Sequence, residues 1–159
     1  GNIGATNVLR TGNKVAAFLT LVLDAGKGAV AVLLVRVFLG ETAALAAGGA
    51  AFLGHIYPVF IGFNGGKGVA TLLGTLLALF WPVGVLACAT WAVVAAASRI
   101  SSLSALVCAA LSPLTALLLG RADVALVSGG MAVLVFLRHS ANIARLRTGT
   151  EPRIGGPSR

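Results

Sequence analysis

Three polar segments interrupt an otherwise apolar chain, and their residue types suit the handling of phosphate groups. The first runs Gly1-Asn2-Ile3-Gly4-Ala5-Thr6-Asn7-Val8-Leu9-Arg10. Its glycines let the backbone approach a ligand closely. Asn2, Thr6 and Asn7 add neutral hydrogen-bonding groups, and Arg10 follows about one helical turn after Asn7. The second covers residues 54–71 and contains Gly65-Gly66-Lys67-Gly68 directly before an apolar helix, so loop amides and an ammonium can converge on one anion. It is not a nucleotide-hydrolysing loop. That pattern needs Ser or Thr after the lysine and a glycine five residues before the second glycine; Gly68 and Ile61 hold those positions.

The third segment is composite. Ser98-Arg99-Ile100-Ser101-Ser102-Leu103-Ser104 opens one helix, where a serine cluster serves as a cap or as a phosphate donor set. Arg138-His139-Ser140-Ala141-Asn142-Ile143-Ala144-Arg145 closes the last apolar run. His139 and Asn142 share a helix face, with Arg145 about one turn further along it. Glu151 follows and is placed to orient Arg10 or Lys67 by a charge-assisted hydrogen bond. His55 reads either as an interhelical polar residue or as part of the anion site. Asp24 and Lys27 lie three residues apart inside an apolar run, as a structural ion pair or as support for that site. No paired carboxylates, Ser–His–Asp set or metal-ligand spacing is present, so neither metal nor cofactor is expected. Cys88 and Cys108 sit inside apolar runs as small hydrophobes.

These residues need a scaffold, and composition dictates its kind. Of 159 residues 58% are hydrophobic and 10% charged, with mean hydropathy +0.99; a soluble domain has roughly 45–50% apolar and 25% charged residues. A soluble fold is excluded. Twelve Lys+Arg against four Asp+Glu give a net charge of +8, but the cations lie mostly in linkers between apolar runs. That pattern reads as the positive-inside bias of membrane proteins and as anion binding, not as a nucleic-acid surface.

Apolar runs at 15–38, 43–61, 103–119 and 122–137 each approach the ~20 residues that cross a bilayer. Residues 69–97 are too long for one comfortable span and carry Trp81-Pro82 near the middle. Read as one span, they would send Arg99 and the Arg-rich tail to the opposite side from Arg10, Lys14 and Lys67. Read as two short helices meeting at Trp81-Pro82, they return every glycine-bearing loop to one face. The expectation is therefore an all-α, polytopic transmembrane bundle with six helices. Gly1 is not an initiator methionine and no signal peptide precedes it, so the expected full chain begins earlier.

Taken in order, Gly-Asn-Ile-Gly-Ala-Thr-Asn-x-x-Arg, residues 54–71 with Gly-Gly-Lys-Gly-Val-Ala-Thr, and the tail 139–151 resemble the three cytoplasmic motifs of the bacterial acyl-phosphate:glycerol-3-phosphate acyltransferases, the PlsY family. Leu23-Asp24-Ala25-Gly26-Lys27-Gly28 and Ser102-Leu103 resemble that family too. Asn64 stands where many relatives carry a basic residue. The resemblance implies seven helices in the full protein, of which the first is missing here, forming one domain over residues 1–159. It implies a bacterial inner-membrane protein with its site facing the cytoplasm and membrane lipid around it. The implied reaction transfers an acyl group from acyl phosphate to glycerol 3-phosphate, releasing lysophosphatidic acid and phosphate. The implied roles place acyl phosphate against Asn2, Gly4, Thr6, Asn7 and Gly65, Gly66 and Gly68. Arg10, Lys67 and Ser102 would hold the glycerol-3-phosphate phosphate, with His139 and Asn142 on its hydroxyl and His55, Arg145 and Glu151 completing the substrate site. Either His139 or a substrate phosphate would accept the hydroxyl proton. Two rivals fare worse: neither histidine begins the His-x-x-x-x-Asp of thioester-dependent acyltransferases, and no internal repeat suggests an anion transporter.

Overall fold

Proline and helix length set the architecture. The computed structural model describes residues 4–156, apart from the side chain of Arg10. The described residues form α1 (Ala5–Arg10), α2 (Lys14–Leu39), α3 (Glu41–Ile56), α4 (Val69–Leu79), α5 (Trp81–Ser98), α6 (Ser101–Leu118), α7 (Ala122–Arg138) and α8 (Ser140–Arg147), with a 3-10 turn at Val59–Ile61. Four helical segments are long and apolar enough to cross a bilayer: Lys14–Leu39, Glu41–Ile61 with its 3-10 turn, Trp81–Ser98 and Ser101–Leu118. Ala122–Arg138 and Ser140–Arg147, bent by 63°, make a fifth. With the shorter α4, the six expected apolar helices are present.

One boundary differs from the expectation. The second helix stops at Ile56 rather than 61, because Pro58 bars its predecessor from helical backbone and Tyr57 sits at φ −123°, ψ 61°. The 69–97 stretch does break where expected. Phe80 is extended (φ −154°, ψ 98°), and Pro82 falls in the first turn of α5, where its missing N–H costs nothing. The halves are unequal, however. α5 has 18 residues and α4 only 11.

Contacts sort the helix ends into two groups. At one end Arg36 bonds the carbonyls of Ala78 and Leu79, and Arg121 bonds Glu41 and lies over the Phe80 ring. At the other, Arg138 bonds the carbonyls of Gly65 and Gly66, Lys67 bonds Asn142, and Ile154 and Arg99 exchange backbone and side-chain bonds. All three polar segments gather at this second end, as the two-helix reading of 69–97 requires.

α4 runs through the middle of the bundle, with Thr71, Leu72, Gly74, Thr75, Leu76 and Leu79 buried. It is reached by close backbone approach, the usual way helices associate where lipid removes the hydrophobic drive. A Cβ at Gly74 would stand 2.1 Å from the Ala25 carbonyl oxygen of α2, and one at Gly84 would stand 2.4 Å from the Leu77 backbone. Thr71 donates to the Asp24 carbonyl at 2.9 Å, pinning the same crossing. Overpacking a tight contact costs about 1–3 kcal/mol. Gly74→Ala is accordingly expected to lower the thermal midpoint in detergent micelles clearly. Gly49→Ala, where an added Cβ meets nothing within 4 Å, is expected to leave the midpoint unchanged. Equal midpoints for the two variants would contradict the packing described.

Candidate functional site

An 11-residue helix rises about 17 Å and an 18-residue one about 27 Å. α4 ends and α5 begins at the Phe80 turn, so the start of α4 falls roughly 10 Å short of the far end of its neighbour. The space it leaves is a cavity of about 680 Å³. Its apolar wall includes Leu21, Leu73, Cys88, Trp91 and Ala105 from the surrounding spans. Its polar rim comes from the three segments singled out by sequence.

Four helices begin at this cavity. Gly4, Ala5, Thr6 and Asn7 of α1, Gly68, Val69 and Ala70 of α4, Ser101 and Ser102 of α6, and Ala141 and Asn142 of α8 all line it. None of the four helices has a side-chain cap from its N-cap residue. α2 begins at the same end away from the cavity, and there Asn13 accepts from the Ala16 N–H at 2.9 Å. First-turn N–H groups lack intrahelical acceptors, and each helix start carries partial positive charge. Their convergence makes a seat for anions with few full charges. Gly68, at φ +83°, has a further reason to be glycine, since a Cβ there would lie 2.4 Å from the Phe52 ring.

The rim residues form one connected chain. Lys67 Nζ donates to Asn142 Oδ1 at 2.5 Å, and Asn142 Nδ2 donates to Glu151 Oε1 at 2.5 Å. Lys67 only donates and the carboxylate only accepts, so the orientation of the Asn142 amide follows from chemistry. Ser102 Oγ donates to Glu151 Oε1 at 2.7 Å, and Arg145 Nε to Oε2 at 2.6 Å. Burial alone would raise the Glu151 pKa, but the bonds from Ser102, Asn142 and Arg145 outweigh it and hold the group below the usual carboxylate range. Glu151 therefore organises Asn142, Ser102 and Arg145, and reaches Lys67 through the Asn142 amide.

His139 is buried at the α7–α8 break, with Nδ1 2.8 Å from the Val135 carbonyl oxygen. A carbonyl only accepts, so Nδ1 carries the proton and Nε2 is left as an acceptor. His55 also lines the cavity, and its Nδ1 lies 2.6 Å from Lys27 Nζ, which in turn donates to Asp24 Oδ1 at 2.6 Å. With Nδ1 accepting from the ammonium, the ring N–H of His55 is at Nε2. Asp24, another cavity residue, is thus neutralised by Lys27.

Several residues serve differently from the sequence reading. The N–H groups of Gly65 and Gly66 donate to the Ile56 and His55 carbonyls, and neither glycine lines the cavity. Gly65 is required for close approach instead, because a Cβ would stand 2.1 Å from the His55 carbonyl oxygen. Arg138 clamps the carbonyls of both glycines. Ser102 spends its proton on Glu151 and Ser104 on the Ile100 carbonyl. Ser101, 3.4 Å from Thr6 Oγ1, is the serine of this cluster left at the rim. Asn2 and the Arg10 side chain lie outside the described residues. Sequence reasoning missed Leu21, Cys88, Trp91 and Ala105, whose only signal is the unequal lengths of α4 and α5.

A family model described as "Glycerol-3-phosphate acyltransferase" matches residues 1–149. A protein of that name from Jannaschia sp. (strain CCS1) is 66% identical over 158 residues, covering 99% of this chain and 78% of the relative. Another, from Cereibacter sphaeroides (strain ATCC 17025 / ATH 2.4.3), is 61% identical over 155 residues, covering 98% and 74%. Crystal structures of PlsY (YgiH), described as an integral membrane glycerol 3-phosphate acyltransferase, superpose with a TM-score of 0.92 at 36% identity. The glycerol 3-phosphate form and the lysophosphatidic acid form each cover 98% of this chain, which matches 79% and 81% of them respectively.

The His139 tautomer is testable. In micelles, ¹⁵N-histidine-labelled protein is expected to show one imidazole fixed in the Nδ1–H form by its bond to the Val135 carbonyl, assigned with His55→Gln. A ring that averages between its two tautomers would contradict that bond.

Proposed function

The chain belongs to the glycerol-3-phosphate acyltransferase family, and from that premise we propose that the recess above α4 is where the acyl group passes from an acyl phosphate to glycerol 3-phosphate. Acyl transfer to glycerol 3-phosphate is the family's activity, and this all-helical protein crosses the membrane several times. The observation that carries the proposal is the convergence of four helix starts and Lys67 on a cavity whose other wall is apolar. Both substrates have phosphate heads and one has a long alkyl tail. A site that joins anion seats to an apolar wall at a membrane surface suits that pair.

In this reading the donor phosphate rests on the first turn of α4, with Gly4, Thr6 and Asn7 on one side and Lys67 on the other. Arg145 and the Ser101 hydroxyl take the phosphate of glycerol 3-phosphate, with Ser102 acting through Glu151. His139 Nε2 accepts a hydrogen bond from the attacking hydroxyl, and Asn142 holds the alcohol in line. His55 offers its Nε2–H to the forming oxyanion or to a phosphate oxygen. The hydroxyl oxygen bonds to the acyl carbon, the anhydride C–O bond breaks, and phosphate departs towards Lys67 and the helix starts. The hydroxyl proton ends on the departing phosphate. With so good a leaving group, positioning and charge neutralisation carry the catalysis.

Orientation follows from charge. Lys14, Lys67, Arg99, Arg138, Arg145, Arg147 and Arg153 lie in segments at the cavity end, against Arg36 and Arg121 at the other. Cations favour the cytoplasmic side, so the site faces the cytoplasm from a bacterial inner membrane. This chain's residues 1–159 act as a single domain.

The test supplies glycerol 3-phosphate with either palmitoyl phosphate or palmitoyl-CoA to the purified protein in bilayers. Phosphate release with palmitoyl phosphate only is expected, with kcat/KM falling about 100-fold in Lys67→Ala as a phosphate-stabilising charge is lost. Turnover with the thioester only would overturn the donor assignment. A Lys67→Ala enzyme with unchanged kinetics would overturn the site.

A further inference from the structure

The far end of α4 has no place in the reaction as described, yet a side chain from another helix ties down its last two carbonyls. The last carbonyls of a helix have no intrahelical donor, and α4 ends at Leu79, only 3% exposed. Arg36 of α2 reaches across to it. Its Nη1 donates to the Ala78 carbonyl at 2.6 Å and its Nη2 to the Leu79 carbonyl at 2.8 Å. The guanidinium is itself held by Glu41, with Nε 2.6 Å from Oε2. Arg121 donates to the other Glu41 oxygen at 2.7 Å and stacks 5.0 Å from the Phe80 ring centroid.

We propose that Arg36 is a positioning residue for acyl transfer, acting through α4 on the phosphate seat at the opposite end of that helix. Two physical effects run in the same direction. The forked guanidinium fixes the height at which α4 stops, and so where the Gly68–Ala70 turn stands relative to Lys67. It also neutralises the negative pole of the helix. In an 11-residue helix the two poles are only about 17 Å apart, and in a low-dielectric bundle the negative pole would otherwise subtract from the field felt by an anion at the start. The proposal rests on reading the α4 start as a phosphate seat.

The test measures inhibition by inorganic phosphate, together with KM for acyl phosphate and kcat, in Arg36→Met, Arg36→Lys and Glu41→Gln. In Arg36→Met both the phosphate inhibition constant and KM are expected to rise about 10-fold with kcat within about 3-fold, the pattern of lost uniform binding. Arg36→Lys keeps the charge but not the fork, and about a 3-fold rise in the same constants is expected. Glu41→Gln leaves both carbonyl bonds in place, and its constants are expected within about 2-fold of the parent. Unchanged constants in Arg36→Met, or a Glu41→Gln enzyme that matches it, overturn the proposal. If Arg36→Met fails to accumulate, Arg36→Lys decides alone, and parental constants there overturn it. A parent enzyme that phosphate does not inhibit would instead bring down the seat itself, and the inference with it.

Discussion

The structure turns on a helix that is too short. α4 is buried in the centre of a membrane bundle, but at 11 residues it covers only about half of a ~30 Å hydrocarbon core. A half-height helix normally leaves polar backbone ends stranded in an apolar medium, where each unsatisfied group costs several kcal/mol. Here each end has an answer. Arg36 supplies donors to the carbonyl end, and the amide end opens on a cavity lined by Lys67, Asn142 and three other helix starts. The tight glycine crossings at Gly74 and Gly84 hold α4 at this height. A longer α4 would fill the recess; a looser one would move its floor.

The polar rim follows a consistent electrostatic logic. An anion site lined by two carboxylates looks contradictory until their partners are counted. Asp24 is tied to Lys27, and Glu151 to Arg145, Ser102 and Asn142. Glu151 then works as a fixed acceptor that aims an amide, which in turn aims Lys67. The tail reaches this position because Arg99 and Ile154 hold each other, through the Ile154 N–H to the Arg99 carbonyl at 2.6 Å and Arg99 Nη2 to the Ile154 carbonyl at 3.0 Å. That double bond pattern stands three residues beyond Glu151 and folds the tail over the α5–α6 turn.

Much of this was legible in the amino-acid sequence. Composition gave the membrane class, the cation distribution chose two helices for 69–97, and motif spacing brought Gly4, Thr6, Asn7, Lys67, His139, Asn142 and Glu151 to one cavity. Backbone accounting was not legible. Gly65 and Gly66 look like a phosphate cradle because glycine amides usually are one, but the ends of α3 claim their N–H groups first. Serine identity was equally opaque, since Ser101, Ser102 and Ser104 differ only in which way each faces from α6. The apolar wall of Cys88 and Trp91 carries no local signal at all, because the recess exists only once α4 and α5 are laid side by side.

On this reading phosphate binds at the start of α4 and not in the glycine turn before it. The most direct test is an experimental structure of the protein in lipid with glycerol 3-phosphate and a non-transferable acyl phosphonate bound. A phosphorus centre is expected within hydrogen-bonding reach of Lys67 Nζ and the Val69 and Ala70 amides, with the amides of Gly65 and Gly66 still bonded to α3. Head groups seated on Gly65 and Gly66, with the α4 start left empty, would contradict it.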